Sequence, residues 1–376
     1  MATVVVSGAL ANKYGNAGAA WERLSYVLGF RQLGLEVWFL EELNSRDLDA
    51  AKAGEYFDRV VDHFGLANRS GLIDIDGNVI AGSPTDDLVD VAEAADLLVN
   101  VSGNLRSSGL FHRFRRRAFV DVDPGYTQMW HALGESEARL EGYDVYFTIG
   151  ENVGGDACLV PTCGIDWQAT RPPVVLDQWP AADDGGFDRF TTIASWRGAY
   201  GRVEFGGRTY GLKAHEFRKF ADLPQRSSQA FEIALDIEPA DARDRALLED
   251  HGWRLVDPRE AAGSPEAFRI YIQDSGAEFS VAQSIYVDTA CGWFSERTTR
   301  YLASGKPALV QETGFSRQLP VGEGLLSFRT VEEAVTGAES IAADYEAHCR
   351  AARAVAEQYF DSDLVLARLL EQAGVS

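Results

Sequence analysis

The residues of this chain that are best suited to bind a charged group surround Ser295. A turn leads there to the Ser295 hydroxyl, which is a good N-cap for a helix that begins at Glu296. The first amides of a helix have no partner within it, and the helix dipole is positive at that end, so anions bind there. The amides of Glu296, Arg297 and Thr298, together with the Arg297 guanidinium, therefore predict a site for a diphosphate.

A second group of candidates flanks this helix. These residues are Gly292 and Trp293 in the turn before it, and Glu312, Thr313 and Gly314 after an expected strand over 307–311. At the same edge of the sheet, a glycine would let the backbone approach a sugar closely, and a carboxylate would bind sugar hydroxyls. The alternative is that Ser295 only caps a surface helix and Gly314 only turns a loop.

Further candidates for ligand binding lie earlier in the second half of the chain. They are Ser195, Trp196 and Arg197 at a strand end, Lys213 after a hairpin, and Phe279 and Ser280 in another strand. The first four are expected to contact phosphate or sugar, and the last two to line a pocket for the nucleotide base. A surface or packing role is the alternative for each.

Two carboxylates lie at the end of a strand in the first half. Asp121 and Asp123 have the Asp-x-Asp spacing of a divalent-metal site, but we favour Asp123 as a general base for an acceptor hydroxyl. The nearest alternative base is His131, for which a role as a satisfied helix residue is the other interpretation. No His-Glu-x-x-His or Ser-His-Asp arrangement is apparent from spacing, so hydrolase chemistry has no local support.

The loop from Gly8 to Gly18 is a further candidate because it follows the first strand. It is not a GxGxxG fingerprint, so binding of NAD is only weakly supported. Asn12, Tyr14 and Asn16 are the candidate binding residues of this loop, and Asn16 is also expected to cap the first helix.

The elements that must position these residues follow an α/β pattern. Apolar runs typical of strands alternate with segments of helical period, which favours parallel sheets covered by helices. The expected strands include 3–7, 36–40, 96–101, 118–122 and 145–149, then 190–194, 230–237, 253–256, 277–282 and 307–311. A Rossmann-like unit therefore occurs once in each half. Two such domains facing each other across a cleft would bring the carboxyl ends of both sheets to one ligand.

The domain boundaries follow from composition. We expect a first Rossmann-like domain over 1–170, a linker over 171–188, a second Rossmann-like domain over 189–355 and a C-terminal helix over 356–376. The linker assignment rests on Pro172, Pro173 and Pro180 and on the run Asp183-Asp184-Gly185-Gly186.

Charge and composition limit the partners. The formal net charge of −22 disfavours nucleic acid and anionic membrane surfaces as partners. No stretch has the roughly 20 apolar residues of a membrane helix, and the N-terminus lacks the features of a signal peptide. The four cysteines have no paired spacing, which indicates free thiols. We therefore expect a cytoplasmic protein, with the oligomeric state left open and a homodimer among the options.

The segment 291–328 resembles the donor-binding region of GT-B glycosyltransferases. The family's ASGxPV…xxG pattern is similar to Ser304-Gly305-Lys306-Pro307, the apolar strand after it and Thr313-Gly314. The HCGWNS motif of its plant-type inverting members is similar to Cys291-Gly292-Trp293 with Ser295. A more specific resemblance is to uncharacterised bacterial glycosyltransferase-like proteins with EFSVA…GWFSxRxxxYLASGxP…TGFSxxLPxGEGLLxF. It covers residues 278–328 and extends loosely to 121–130 and 211–216.

This resemblance implies a GT-B fold, a nucleotide-sugar donor and no required metal or further cofactor. It also implies that the domain over 1–170 lies on the acceptor side, with Asn12, Tyr14 and Asn16 bordering the acceptor, and that the domain over 189–355 binds the nucleotide-sugar. The chain also departs from the family's patterns. Arg300 stands where one of the paired glutamates of retaining members belongs, and Ala290 stands where the plant-type motif has its phosphate-binding histidine. Retention or inversion is therefore not carried over.

The expected function is glycosyl transfer from a nucleotide-sugar to a small-molecule or envelope acceptor. The alternatives are a sugar-nucleotide epimerase on the same fold and a catalytically inactive binding or partner protein.

Overall fold

The structure of the protein is a computed structural model, which describes residues 2–44, 48–106, 109–135, 138–181 and 186–375. Within these residues the chain forms two large sheets, one from each half, and a two-stranded hairpin. The expectation of two α/β units built on parallel sheets is confirmed.

The first sheet has the strand order β4-β3-β2-β1-β5-β6-β7-β8. Its strands are β1 (Thr3–Ser7), β2 (Glu36–Glu42), β3 (Ser70–Ile73), β4 (Val79–Gly82), β5 (Leu97–Val101), β6 (Arg117–Asp121), β7 (Val145–Thr148) and β8 (Trp167–Ala169). All neighbours are parallel except β4, which pairs antiparallel with β3. Its helices are α1 (Ala17–Gln32), α2 (Ala50–His63), α3 (Thr85–Ala94) and α4 (Tyr126–Leu133).

The second sheet is parallel throughout and has the order β13-β12-β9-β14-β15-β16. Its strands are β9 (Phe190–Ser195), β12 (Phe231–Asp236), β13 (Arg254–Val256), β14 (Ala277–Ser280), β15 (Ala308–Gln311) and β16 (Leu325–Phe328), while β10 (Val203–Phe205) and β11 (Arg208–Tyr210) form the hairpin. The remaining helices are α5 (Lys213–Phe217), α6 (Leu223–Arg226), α7 (Ala242–Asp250), α8 (Pro258–Ala262), α9 (Pro265–Gln273), α10 (Ser284–Thr289), α11 (Glu296–Ala303), α12 (Val331–Ala343), α13 (Tyr345–Tyr359) and α14 (Ser362–Gln372).

Two edge strands depart from the sequence expectations. The first sheet was expected to end at β7, but β8 adds a further parallel strand beside it. The edge strand β16 of the second sheet was not expected either. Both are short, so neither carries a long apolar run that would predict a strand.

The central strand of the first sheet is buried in the protein core. Val4, Val5 and Val6 of β1 are completely buried, as expected for a parallel strand that is covered on both faces.

In the first sheet the strand order reverses between β1 and β5, and in the second between β9 and β14. Ligands bind at such switch points, beyond the carboxyl ends of the strands.

The segment expected to link the domains packs against both halves. The Trp179 side chain is fully buried, 4.9 Å from the Trp21 ring of α1 and 6.3 Å from the Phe268 ring of α9. The Trp21 indole N–H also donates to the Pro265 carbonyl at 2.7 Å. Residues 182–185 of the proposed linker lie outside the described residues, and the domain boundaries stay predictions.

Within the described part of the chain, no helix combines the length and apolar character needed to cross a membrane.

Candidate functional site

A cleft of about 870 Å³ lies between the two halves. The first half contributes the loop after β1, the start of α1 and the residues after β6. The second half contributes the carboxyl ends of β9, β12 and β13 and the start of α11. The charged residues lining the cleft are Lys13, Lys213, Arg245, Arg259 and Arg297, and Glu22, Asp123, Asp236, Asp257 and Glu296. These five cations balance five anions in a chain of net charge −22, so the cleft is less repulsive to an anion than the rest of the surface.

The first turn of α11 opens into this cleft, through Ser295, Glu296 and Arg297. The helix begins at Glu296, as the sequence predicts, and Ser295 is its N-cap, with a side-chain oxygen that accepts from the Arg297 amide at 3.2 Å. The positive end of the helix dipole therefore faces the space between the halves.

Arg297 is held rigidly at this helix start. Its Nε donates to Glu278 at 2.6 Å, and its two terminal nitrogens donate to the Ile193 carbonyl at 2.8 Å and the Ser280 hydroxyl at 2.9 Å. A guanidinium has five N–H groups, so these three bonds leave donors for a ligand. Burial opposes the charge, but Glu278 outweighs it and the pKa of Arg297 is raised.

Lys213, the first residue of α5, also lines the cleft. Burial lowers the pKa of its amine to about 7, and the charge of Arg297 acts in the same direction, while Glu278 and Glu296 oppose it. Ser195, at the end of β9, lines the same wall and is exposed. A helix start, a guanidinium, an amine and a hydroxyl thus border one part of the cleft.

Asp123 faces this region from the first half. Its Oδ2 accepts from the Tyr200 hydroxyl and its Oδ1 from the Tyr286 hydroxyl, both at 2.9 Å, and both tyrosines belong to the second half. Asp123 is therefore a carboxylate that lines the cleft and is oriented by hydrogen bonds from across it.

Asp121 has a different environment from Asp123. Its fully buried carboxylate accepts from Thr127 at 2.8 Å, Gln128 at 2.7 Å and Thr148 at 2.7 Å, and from the Asp123 amide at 3.1 Å. Burial raises the pKa of Asp121 to about 6, against the pull of those bonds. Asp121 thus belongs to a buried hydrogen-bond network, whereas Asp123 lines the cleft. No group of three or more potential metal ligands occurs among the described residues, and the expectation that no metal is required stays a prediction.

The structure brings two of the three candidate residues of the loop after β1 to the cleft. Tyr14 and Asn16 line the cleft, and Asn16 caps α1 by accepting from the Ala19 amide at 3.0 Å. Asn12 does not line the cleft. Its side-chain amide donates to Glu41 at 2.8 Å and to the Glu42 carbonyl at 2.7 Å. Asn12 therefore anchors the loop, and its predicted place beside an acceptor does not fit this position.

Several predicted donor-binding residues pack away from the cleft. Phe279 is fully buried and stacks on Phe328 at 4.9 Å, so it belongs to the core of the second half. The Trp196 indole N–H donates to Asp244 at 2.8 Å, and Arg197 pairs with Asp241 at 2.8 Å. Ser280, Thr298, Gly292, Phe279, Trp196 and Arg197 are all absent from the lining of the cleft. Ser280 acts indirectly, because its hydroxyl accepts from Arg297.

The turn after β15 is also internal. Glu312 Oε1 accepts from the Gly314 amide at 2.6 Å, and the Thr313 hydroxyl donates to the Trp293 carbonyl at 2.5 Å. Gly314 has φ of 95°, and a Cβ there would lie 2.6 Å from the Ala290 carbonyl oxygen. The glycine is thus required by close packing within the protein, whereas an approach to a sugar was predicted. None of these three residues lines the cleft, although Trp293 does.

His131, the alternative base, is exposed on α4 and does not line the cleft. The structure instead brings residues to the site that no sequence pattern indicated: Glu22, Tyr200, Asp236, Arg245, Asp257, Arg259, Gln283 and Tyr286. Asp236 and Asp257 end or follow strands, so the rule that ligands bind at carboxyl ends would have found them. Tyr200 and Tyr286 have no comparable local signal.

Neither a family model nor a curated protein matches this sequence. Solved structures do match its architecture. An alpha-glucosyltransferase in complex with UDP has a TM-score of 0.62 at 10% identity, with 100% of both chains covered, and another structure under that name also contains a 13-mer DNA. Sucrose-phosphate synthase from Thermosynechococcus elongatus has a TM-score of 0.55 at 11% identity, with 99% of both chains covered.

A protein from Listeria monocytogenes that is described as a UDP-N-acetylglucosamine 2-epimerase has a TM-score of 0.51 at 13% identity, covering 98% of this chain and 94% of its own. At these identities the likeness concerns the fold. The chain has the GT-B fold that was expected from its sequence. The finer resemblance to bacterial glycosyltransferase-like sequences and the absence of a nucleic-acid partner stay predictions.

Proposed function

We propose that this protein transfers a sugar from a nucleotide-sugar to the hydroxyl of a small-molecule or envelope acceptor. The observation that carries the proposal is that the capped start of α11 opens into the cleft, together with the anchored Arg297 side chain. The Asp123 carboxylate lines the same cleft from the other half of the protein. The expected cytoplasmic location and the choice between monomer and homodimer are parts of this proposal that need their own measurements.

The donor diphosphate is proposed to bind at the first turn of α11. The helix amides, Arg297 and Lys213 are all donors with positive charge or potential, and Ser195 adds a hydroxyl. The nucleoside would then extend towards the ends of β12 and β13, and the sugar towards Asp123. Glu296, Trp293 and Tyr14 border the same space.

In the proposed reaction an acceptor oxygen forms a bond to the anomeric carbon as the bond from that carbon to the diphosphate breaks. The electron pair of the broken bond goes to the diphosphate, where preorganised amides and cations stabilise the new charge. Asp123 takes the proton of the acceptor hydroxyl. Closure of the two halves over the bound substrates would exclude water, which would otherwise hydrolyse the donor.

Thermal-shift measurements and calorimetry with nucleoside diphosphates and their sugars would test the donor site first. A ligand that binds only the folded protein raises its melting temperature. The donor that binds is then incubated with a panel of acceptors, with and without EDTA. Transfer that survives EDTA supports the full proposal, whereas absence of binding by every nucleotide would refute the donor site.

Asp123→Asn separates binding from chemistry. The variant is expected to keep nucleotide affinity within about threefold while losing at least about 100-fold in turnover, because it removes a base and no phosphate contact. Normal turnover by this variant would refute Asp123 as the base.

The epimerase is the second candidate, and it has the Listeria monocytogenes structure as its support. It would convert the donor sugar with no acceptor present, which analysis of the donor after incubation alone would reveal. Nucleotide binding with no change to the donor under any condition would favour an inactive binding protein.

A further inference from the structure

Both oxygens of the Asp123 carboxylate are engaged by residues from the opposite half of the protein. Tyr200 lies in the loop after β9 and Tyr286 in α10, and their hydroxyls donate to Oδ2 and Oδ1. Asp123 itself follows β6 in the first half, and its amide is held by Asp121. The direction of this carboxylate is therefore set jointly by the two halves.

The two phenols are themselves tightly packed. The Tyr200 ring lies 4.9 Å from both the Tyr126 and the Trp130 rings, and the Tyr286 ring stacks on Trp293 at 4.3 Å with an interplanar angle of 14°. Such packing restricts the rotation of both side chains. The hydroxyls are consequently delivered to the carboxylate at fixed positions.

The protonation state of the phenols supports donation. The charge of Asp123, followed by burial, raises the pKa of Tyr200 well above its ordinary value. Burial, followed by the charge of Asp123, does the same for Tyr286. Both hydroxyls thus keep their protons at neutral pH.

The carboxylate retains capacity for a ligand. Its two oxygens have about four acceptor positions, and the tyrosines occupy two of them. Asp123 and Tyr286 line the cleft, so an acceptor hydroxyl can approach a remaining position.

We propose that Tyr200 and Tyr286 are positioning residues for Asp123, so that the base is correctly oriented only when the two halves are closed on each other. This inference rests on the proposed function, in which Asp123 takes the acceptor proton. The two hydroxyl bonds fix the direction of both carboxylate oxygens, and so the position from which an acceptor proton can be taken.

Tyr126 offers a matched control. Its hydroxyl also crosses between the halves, but it donates to Gln283 Oε1 at 2.8 Å, whereas the hydroxyls of Tyr200 and Tyr286 donate to Asp123. Tyr126→Phe therefore removes a similar bond at the same interface and spares the carboxylate.

The test compares Tyr200→Phe, Tyr286→Phe and Tyr126→Phe in the full chain. The first two are expected to lower kcat about 10- to 100-fold while leaving the affinity for the donor nucleotide within about twofold of wild type. Tyr126→Phe is expected to change neither kcat nor that affinity by more than about twofold. Wild-type kcat in both Tyr200→Phe and Tyr286→Phe would overturn the inference.

A second measurement needs no activity. Urea unfolding midpoints are determined for Asp123→Ala alone and combined with each tyrosine variant. The inference requires non-additive shifts with Tyr200→Phe and Tyr286→Phe, and additive shifts with Tyr126→Phe. Additivity in all three pairs would refute it. If wild type binds no nucleoside diphosphate and turns over no donor, the proposed function fails, and this cycle alone decides whether the tyrosines hold Asp123.

Discussion

Arg297 and Glu278 form an ion pair of 2.6 Å at the start of α11, with the Glu278 side chain fully buried and that of Arg297 only 11% exposed. Glu278 lies in β14, and the other anchors of the guanidinium are Ile193 of β9 and Ser280 of β14. The cation at the helix start is thereby tied to the two strands between which the strand order reverses. The Arg297 side chain therefore both binds the two central strands of the second sheet and lines the cleft.

Arg297→Lys is expected to weaken binding of UDP at least about tenfold. Lysine keeps the charge, but it cannot make the three anchoring bonds of the guanidinium and still direct donors to a ligand. Isothermal calorimetry measures the affinity. Arg197→Lys is the control, because Arg197 pairs with Asp241 outside the cleft lining and its replacement is expected to change affinity by less than about twofold. Equal losses in the two variants would contradict the assigned site.

Ser295→Ala is expected to lower both the stability of the protein, by about 1 kcal/mol, and its affinity for UDP, by about three- to tenfold. The hydroxyl orders the first turn of α11, so its loss frays the amides that are proposed to bind phosphate. Ser264 is a matched control, since it caps α9 by accepting from the Ala267 amide at 3.2 Å and does not line the cleft. Chemical unfolding and calorimetry on both variants should show similar stability losses but an affinity loss only for Ser295→Ala.

The affinity for a nucleotide-sugar is expected to fall about tenfold between pH 6 and pH 8. With its pKa lowered to about 7, the Lys213 amine is mostly charged at pH 6 and mostly neutral at pH 8, and only the charged form attracts a diphosphate. UDP-glucose is a suitable probe for calorimetry because its diphosphate diester does not titrate in this range.

Two variants of Lys213 isolate this effect. Lys213→Arg stays charged at both pH values and should bind with little pH dependence. Lys213→Gln should bind weakly at both. A pH dependence that persists unchanged in both variants would assign it to other groups.

Asp121→Asn is expected to reduce the free energy of unfolding by about 2–4 kcal/mol, since it places an amide donor among groups that already donate to this position. Thr127, Gln128 and Thr148 all donate to the carboxylate, which is fully buried. Asp166→Asn is the control at an exposed carboxylate and should change stability by less than about 0.5 kcal/mol. Urea unfolding at neutral pH measures both, and a small effect at Asp121 would show that the network relaxes around asparagine.

Sequence alone determined the parts of this protein that depend on neighbouring residues. The strand at 3–7, the helix at 296–303 and the N-caps Asn16 and Ser295 occur as predicted. Capping and periodicity act within a few residues, so their signals are present in a short stretch of sequence. The α/β class follows from the same local patterns repeated along the chain.

Only the tertiary structure decided which side chains face the cleft. Glu312 and Gly314 follow a strand as predicted, yet their turn packs against the protein itself, whereas Lys213 and Trp293 reach the open space. Tyr200 and Tyr286 meet Asp123 from 77 and 163 positions away. Contacts at such separations arise from the packing of one half on the other, and no local propensity encodes them.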